Sequence, residues 1–275
     1  MTPDIKVYRI DEGKSIKLSR FDPADTGKFS PGDAGKAEAR KLLKKQKKEL
    51  ADLQNLLYAD SSRSLLIVLQ AIDAGGKDST IRKVMSGINP QGIRVTSFKA
   101  PNQEELAHDF LWRIHKATPK LGMIGVFNRS HYEDILAVRV NKLAPKKVWS
   151  KRYEAINAFE ETLNEAGTAV IKLYLNISKD EQKRRFEDRL NKADKHWKFN
   201  PSDLADRELW DDYRKAFEDV FSRCATKRAP WFIVPANVKW YRDVVVAQII
   251  LERLKQMRLS YPGIDYDPSK ISIPD

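Results

Sequence analysis

The sequence is poor in the residues that build disulfide-bonded and metal-bound scaffolds. Cys224 is its only cysteine, so no disulfide can close within the chain and a reducing, cytoplasmic setting is expected. No neighbour activates this thiol, and an ordinary half-buried helix position is expected for it. Histidine is also scarce. His108 and His115 lie seven residues apart without a carboxylate partner, and His131 and His196 stand alone. This spacing offers neither a zinc site nor a hydrolase triad, which leaves surface or structural roles for all four. No apolar run approaches the roughly 20 residues that a membrane-spanning helix needs. Asp4, Lys6, Arg9, Asp11 and Glu12 occupy the start of the chain, where a secretory signal would carry its apolar core. Internal repeats and low-complexity stretches are absent.

Negative charge is the other shortage. Fifty Lys+Arg against 38 Asp+Glu leave a formal charge of +12, which predicts an anionic partner: a nucleic acid, an acidic membrane surface or a polyanionic small substrate. The excess recurs in separated segments instead of forming one tail. With 275 residues and 41% apolar composition, one α/β core with appendages is expected. Residues 1–60 read as an irregular extension followed by a helix from Lys36 to Tyr58. In that helix Leu43, Leu50, Leu53 and Leu57 keep helical spacing among Lys41, Lys44, Lys45, Lys47 and Lys48. Its lysines are read as a solvated outer face rather than a polyanion-binding arm. Trp112, Trp149, Trp210 and Trp240 fall on helical faces and are assigned to packing. Residues 261–275 form a Pro-bearing tail.

Between these, strand-like runs at 65–70, 93–98, 123–127, 169–175 and 231–234 alternate with helical patterns. The helical patterns cover 79–88, 103–117, 131–140, 146–166, 180–192, 204–222 and 239–259. Such alternation predicts a mostly parallel five-stranded sheet flanked by helices, with ligands beyond the C-terminal strand ends.

Three segments fall at those ends. The first, Ala71-Ile72-Asp73-Ala74-Gly75-Gly76-Lys77-Asp78-Ser79-Thr80, follows an apolar strand and opens a helix. That is the ground plan of a phosphate-binding loop, although Ala71 and Asp78 depart from the strict pattern. Gly75 and Gly76 permit a tight turn that aims several N–H groups at one anion, and the helix dipole and Lys77 add positive charge. A carboxylate at Asp73 would repel phosphates unless a cation lay between, so it argues for magnesium. The second segment is Asn128-Arg129-Ser130-His131-Tyr132-Glu133-Asp134. Arg129 is placed to neutralise a migrating phosphoryl group, and Glu133 or Asp134 to hold magnesium or position the acceptor. The competing local reading is a capping box between Ser130 and Glu133; both readings can hold at once, since the cap leaves Arg129 and Asp134 unexplained. The third runs from Ser178 through Arg184, Arg185 and Arg189 to Lys195 and Lys198, either a flexible cationic cover over phosphates or an exposed helix laced by pairs such as Glu181–Arg185.

Together with Trp197-Lys198-Phe199, Ala229-Pro230-Trp231 and Asn237, these segments closely resemble the second family of polyphosphate kinases, from about Phe21 to Tyr241. The resemblance implies a P-loop kinase, thymidylate kinase-like in fold, with its core at 61–260 and a helical lid at about 178–210. It implies magnesium-dependent phosphoryl transfer between inorganic polyphosphate and nucleotides, with manganese as an alternative ion. The Asn-Arg-Ser-His-Tyr-Glu-Asp form is similar to the subgroup acting on both mono- and diphosphates, AMP and ADP and also GMP and GDP. Asp73, Lys77, Arg129 and Asp134 are then the catalytic set, with Asp73 and Asp134 as metal ligands. Phosphates fall to Ala74, Gly75, Gly76, Lys77, Asp78, Ser79, Arg129, Arg184, Arg185, Arg189 and Lys198, and acceptor selection to Asn128 and Glu133. A homo-oligomer, dimer or tetramer, is implied, with neither membrane nor nucleic acid as partner. Two other readings compete: an ATP-dependent nucleotide or nucleoside kinase, and a non-catalytic nucleic-acid-binding protein. Loop departures and surplus positive charge count against the first; Asp73, Glu133 and Asp134, which would repel a nucleic-acid backbone, count against the second.

Overall fold

A computed structural model describes residues 1–274. Five parallel strands form one sheet: β1 (Ser64–Gln70), β2 (Ile93–Ser97), β3 (Ile124–Asn128), β4 (Thr168–Asn176) and β5 (Trp231–Pro235). Their spatial order is β2-β3-β1-β4-β5, so β1 is central, with Leu65 opposite Ile124 on one side and Ala169 on the other. All seven β1 residues are buried, which is why this strand reads as a continuous apolar run without alternation. Edge strand β2 is half-exposed and correspondingly mixed in sequence.

The helices are α1 (Gly32–Asp60), α2 (Lys77–Val84), α3 (Gln103–Ala107), α4 (Trp112–His115), α5 (Glu133–Val140), α6 (Lys146–Trp149), α7 (Arg152–Glu165), α8 (Lys179–Leu190), α9 (Ser202–Glu208), α10 (Trp210–Cys224) and α11 (Lys239–Gln256). The predicted helix 103–117 is two short pieces. Asp109 breaks it, its carboxylate accepting from the Leu111 amide and its carbonyl from the Trp112 amide. Helix α1 packs on α11, and its Leu50 and Leu57 are fully buried while Lys41, Lys44, Lys45 and Lys48 face solvent. The N-terminal extension joins the same core: Tyr8, Ile10 and Leu18 are buried, and Arg9 bridges antiparallel to Phe232. That bridge covers the otherwise open edge of β5. Among the described residues, no helix is long and apolar enough to cross a membrane.

Cys224 lies fully buried in α10, and burial pushes its thiol up to about 12. His131 is not isolated. It is fully buried with Nε2 3.1 Å from Glu160 Oε1, in a network where Lys172 Nζ donates to Glu160 Oε2 at 2.5 Å. Lys172 also donates to the Tyr132 hydroxyl and the Cys224 carbonyl, so all three ammonium protons are used.

Candidate active site

The loop after β1 turns through Ala74 (φ 60°) and Gly76 (φ 100°), and α2 starts at Lys77. Positive φ at Ala74 is uncommon for a residue with a Cβ, so the loop is held in this shape by its surroundings. Hydroxyls of Ser79 and Thr80 both donate to the Gly76 carbonyl, pinning the loop to the first helical turn. Lys77 Nζ donates to the Ala71 carbonyl at 3.2 Å, closing the loop across its mouth. Burial, then the Arg129 charge, holds the Lys77 amine below the ordinary lysine range, opposed by Asp73, Glu133 and Asp78.

Arg129 leaves β3 at φ 63°, which swings its guanidinium over the loop. Its Nη2 lies 2.6 Å from Asp73 Oδ1 and its Nη1 3.6 Å from Glu133 Oε2. Glu133, ahead of Asp73, keeps this guanidinium firmly charged against the cost of its burial. Asn128 Nδ2 donates to Asp78 Oδ1 at 2.6 Å, joining the β3 end to the residue after Lys77. The capping box does not form. With the Gln70 amide oriented by its hydrogen bonds, its oxygen accepts from the Ser130 N–H at 3.2 Å and its nitrogen donates to Glu133 at 3.0 Å. Gln70 therefore occupies both groups that a capping box would pair, and Glu133 is left facing Arg129.

Asp134 is a correction to the expected catalytic and metal set. Its side chain points behind the cleft, between Arg113 at 3.8 Å and Arg152 at 3.4 Å. Burial pushes its carboxyl up to about 6, with the two arginines working the other way. One residue earlier or later on a helix turns a side chain by about 100°, which spacing alone did not resolve between Glu133 and Asp134. Among the described residues, no group of three or more His, Cys, Asp or Glu is arranged to hold a metal ion.

The arginines of the 178–210 segment divide. Arg184 is exposed and bound to Glu181 at 2.6 Å, outside the cleft. Arg185 is 7% exposed and tied on three sides, donating to the Ala74 carbonyl at 2.8 Å and the Ala236 carbonyl at 2.5 Å while paired with Glu181. It is an anchor of the loop rather than part of a flexible cover. Arg189, Lys195 and Lys198 do line the cleft, with Arg189 fixed by Asp203 at 3.3 Å.

The resulting cleft of about 560 Å³ also takes in Ala74, Gly75, Gly76, Asp78, Ser79 and Asn128. Its wall carries nine Lys or Arg side chains against four Asp, which suits an extended polyanion better than a neutral ligand. Arg82, Lys99 and Lys239 belong to that wall and were missed from sequence. Lys239 opens the helix after β5, so the strand-end rule applied to the last strand would have found it. A narrow branch between Asp73, Arg129 and Glu133 is closed by Asp206 and Tyr213, whose hydroxyl donates to Asp206 at 3.1 Å. No local signal marks these two, because folding back of α9 and α10 brings them there.

Residues 33–262 match the family model described as polyphosphate kinase 2. The chain belongs to the polyphosphate kinase 2 family. Two relatives are similar over nearly their whole length. An AMP/ADP-polyphosphate phosphotransferase of Meiothermus ruber is 46% identical, covering 98% of this chain and 100% of the relative. An ADP-polyphosphate phosphotransferase of Rhodopseudomonas palustris is 42% identical over 94% and 92%. The crystal structure of polyphosphate kinase 2 from Arthrobacter aurescens TC1 superposes with a TM-score of 0.91 at 44% identity, covering 96% of this chain and 93% of that one. The shared fold is the parallel five-stranded sheet with flanking helices described above.

Proposed function

We propose that this protein transfers phosphoryl groups between inorganic polyphosphate and both AMP and ADP, and that it accepts GMP and GDP as well. The observation that carries this reading is the cleft itself: a phosphate loop at the C-terminal end of β1, in a wall of nine basic side chains that include Arg129 facing the loop. The acceptor's terminal phosphate oxygen attacks the end phosphorus of the polyphosphate chain. A new P–O bond forms, the bridging P–O bond breaks, and the shortened polyphosphate leaves with the electron pair. A phosphate nucleophile is already ionised at neutral pH, so this transfer requires no general base. Catalysis then rests on positioning and charge neutralisation by the loop N–H groups, Lys77 and Arg129.

Magnesium fits as the accompanying ion. Such an ion keeps several waters and is bound through one or two carboxylates plus substrate phosphates, so an all-protein cage is unnecessary. Asp73, at the loop and facing the cleft, would hold it, and the ion would neutralise charge between neighbouring phosphates. Purified protein supplied with polyphosphate, magnesium and AMP or ADP, without ATP, tests the reading. Formation of ADP and ATP is expected, reduced about 10²–10³-fold in Lys77→Ala and Asp73→Asn. Turnover only when ATP is the donor would assign the cleft to an ordinary nucleotide kinase.

A further inference from the structure

The phosphate cradle works only if loop N–H groups face the ligand and loop carbonyls face away from it. Two side chains of α8 take up those carbonyls. Gln182, fully buried, donates from Nε2 to the Asp73 carbonyl at 3.0 Å, and Arg185 donates to the Ala74 carbonyl at 2.8 Å. Gln182 is engaged at its other end too. Its Oε1 accepts from Arg207 Nη1 at 2.9 Å, and the same nitrogen donates to the Lys179 carbonyl at 2.7 Å. Arg207 sits on α9, the helix that also carries Asp203, paired with Arg189 in the cleft wall, and Asp206, which closes the narrow branch. One amide thus spans the covering helix and the backbone of the residue whose carboxylate meets Arg129.

We infer that Gln182 is a positioning residue that couples α9 to the phosphate loop through the Asp73 carbonyl, with Arg207 as the other half of the couple. Seating of α9 over the cleft and orientation of the loop then depend on the same contact. When that contact is cut, the loop carbonyl is free to rotate toward the phosphates, and the Asp73 carboxylate moves with its backbone. The loss falls on the transfer step and not on the cationic wall that holds polyphosphate. This inference rests on phosphoryl transfer at this loop and not on which donor supplies the group.

The test uses the full chain with ADP as acceptor, reading kcat, the KM for polyphosphate and Tm. Gln182→Glu keeps an oxygen for Arg207 but removes the donor to Asp73; Arg207→Met cuts only the covering end; Gln182→Met cuts both. Gln182→Glu and Arg207→Met are each expected to lower kcat by about tenfold or more, because a small misplacement of reacting groups is costly, with KM changed less than about threefold. The double variant Gln182→Met/Arg207→Met is expected to be no slower than Gln182→Met alone, since residues in one network are not additive. A merely structural role would lower Tm and leave kcat per folded molecule unchanged. That result, or kcat losses that multiply in the double variant, overturns the inference. Should Gln182→Met fail to fold, Arg207→Met, at a half-buried lid position, carries the test. Wild-type protein that accepts only ATP as donor would refute the proposed function instead, and the same ratios would then be read with ATP.

Discussion

Replacing Gly76 by alanine adds one methyl group at the tightest point of the phosphate loop. Gly76 sits at φ 100°, and a Cβ built there lies 2.3 Å from Arg242 Nη1 and 3.3 Å from both Arg185 Nη1 and Ser79 Oγ. Arg242 is 1% exposed and tied to Asp243 through Nε and Nη2, so its guanidinium has little room to retreat. The backbone conformation costs an L-residue about 1–2 kcal/mol. Overpacking against a buried side chain adds about 1–3 kcal/mol. The sum, about 2–5 kcal/mol, corresponds to a Tm lowered by roughly 3–9 °C in a chain of this size. Turnover should fall about 10²-fold, because the displaced loop N–H groups no longer match the phosphoryl group. Gly32→Ala is the control: φ there is 75° but nothing lies within 4 Å of the added methyl, so only the backbone cost applies. Calorimetry and ATP formation from ADP and polyphosphate measure both effects. A Gly76→Ala protein no less stable than Gly32→Ala, or one retaining half the wild-type rate, would falsify the claim that Arg242 backs the loop.

Asp134 has a carboxyl raised in the folded state, so its contribution to stability is full below the ordinary carboxylate value of 3.8 and is lost as pH rises through about 6. Wild type should therefore lose up to about 3 kcal/mol relative to Asp134→Asn between pH 4 and pH 7, and parallel denaturation midpoints across that range would refute it. Lys172→Met strands Glu160 as an unpaired buried charge and should cost about 3–5 kcal/mol in urea unfolding. The double change Lys172→Met/Glu160→Gln should recover much of that loss, and equal instability of both proteins would mean that packing dominates there. Asn128→Asp sets a carboxylate against Asp78 where the amide now donates at 2.6 Å. With excess polyphosphate it should slow AMP phosphorylation more than ADP phosphorylation by about 1–3 kcal/mol in relative rate, and an unchanged AMP-to-ADP ratio would place acceptor selection elsewhere.

The amino-acid sequence by itself determined the alternation of strands and helices, because burial on both faces writes β1 as an unbroken apolar run and helical faces repeat every three to four residues. It also determined the phosphate loop, since glycine, lysine and a following helix N-terminus act through backbone geometry that neighbours in sequence specify. Side-chain direction at the ends of elements was decided only by the tertiary structure. Glu133 and Asp134 are adjacent and chemically alike, yet one faces Arg129 and the other is sealed against Arg113 and Arg152. Arg184 and Arg185 are likewise adjacent, and the phosphate-loop carbonyl at Ala74 claims only the second. Gln182, Arg207 and Arg242 carry no local signature, because what they do depends on groups far from them in the chain: an Asp73 carbonyl 109 residues from Gln182, and a glycine that a Cβ would drive into Arg242. Local pattern records how a segment folds; which charge meets which waits for helices α8, α9 and α11 to come together around the loop.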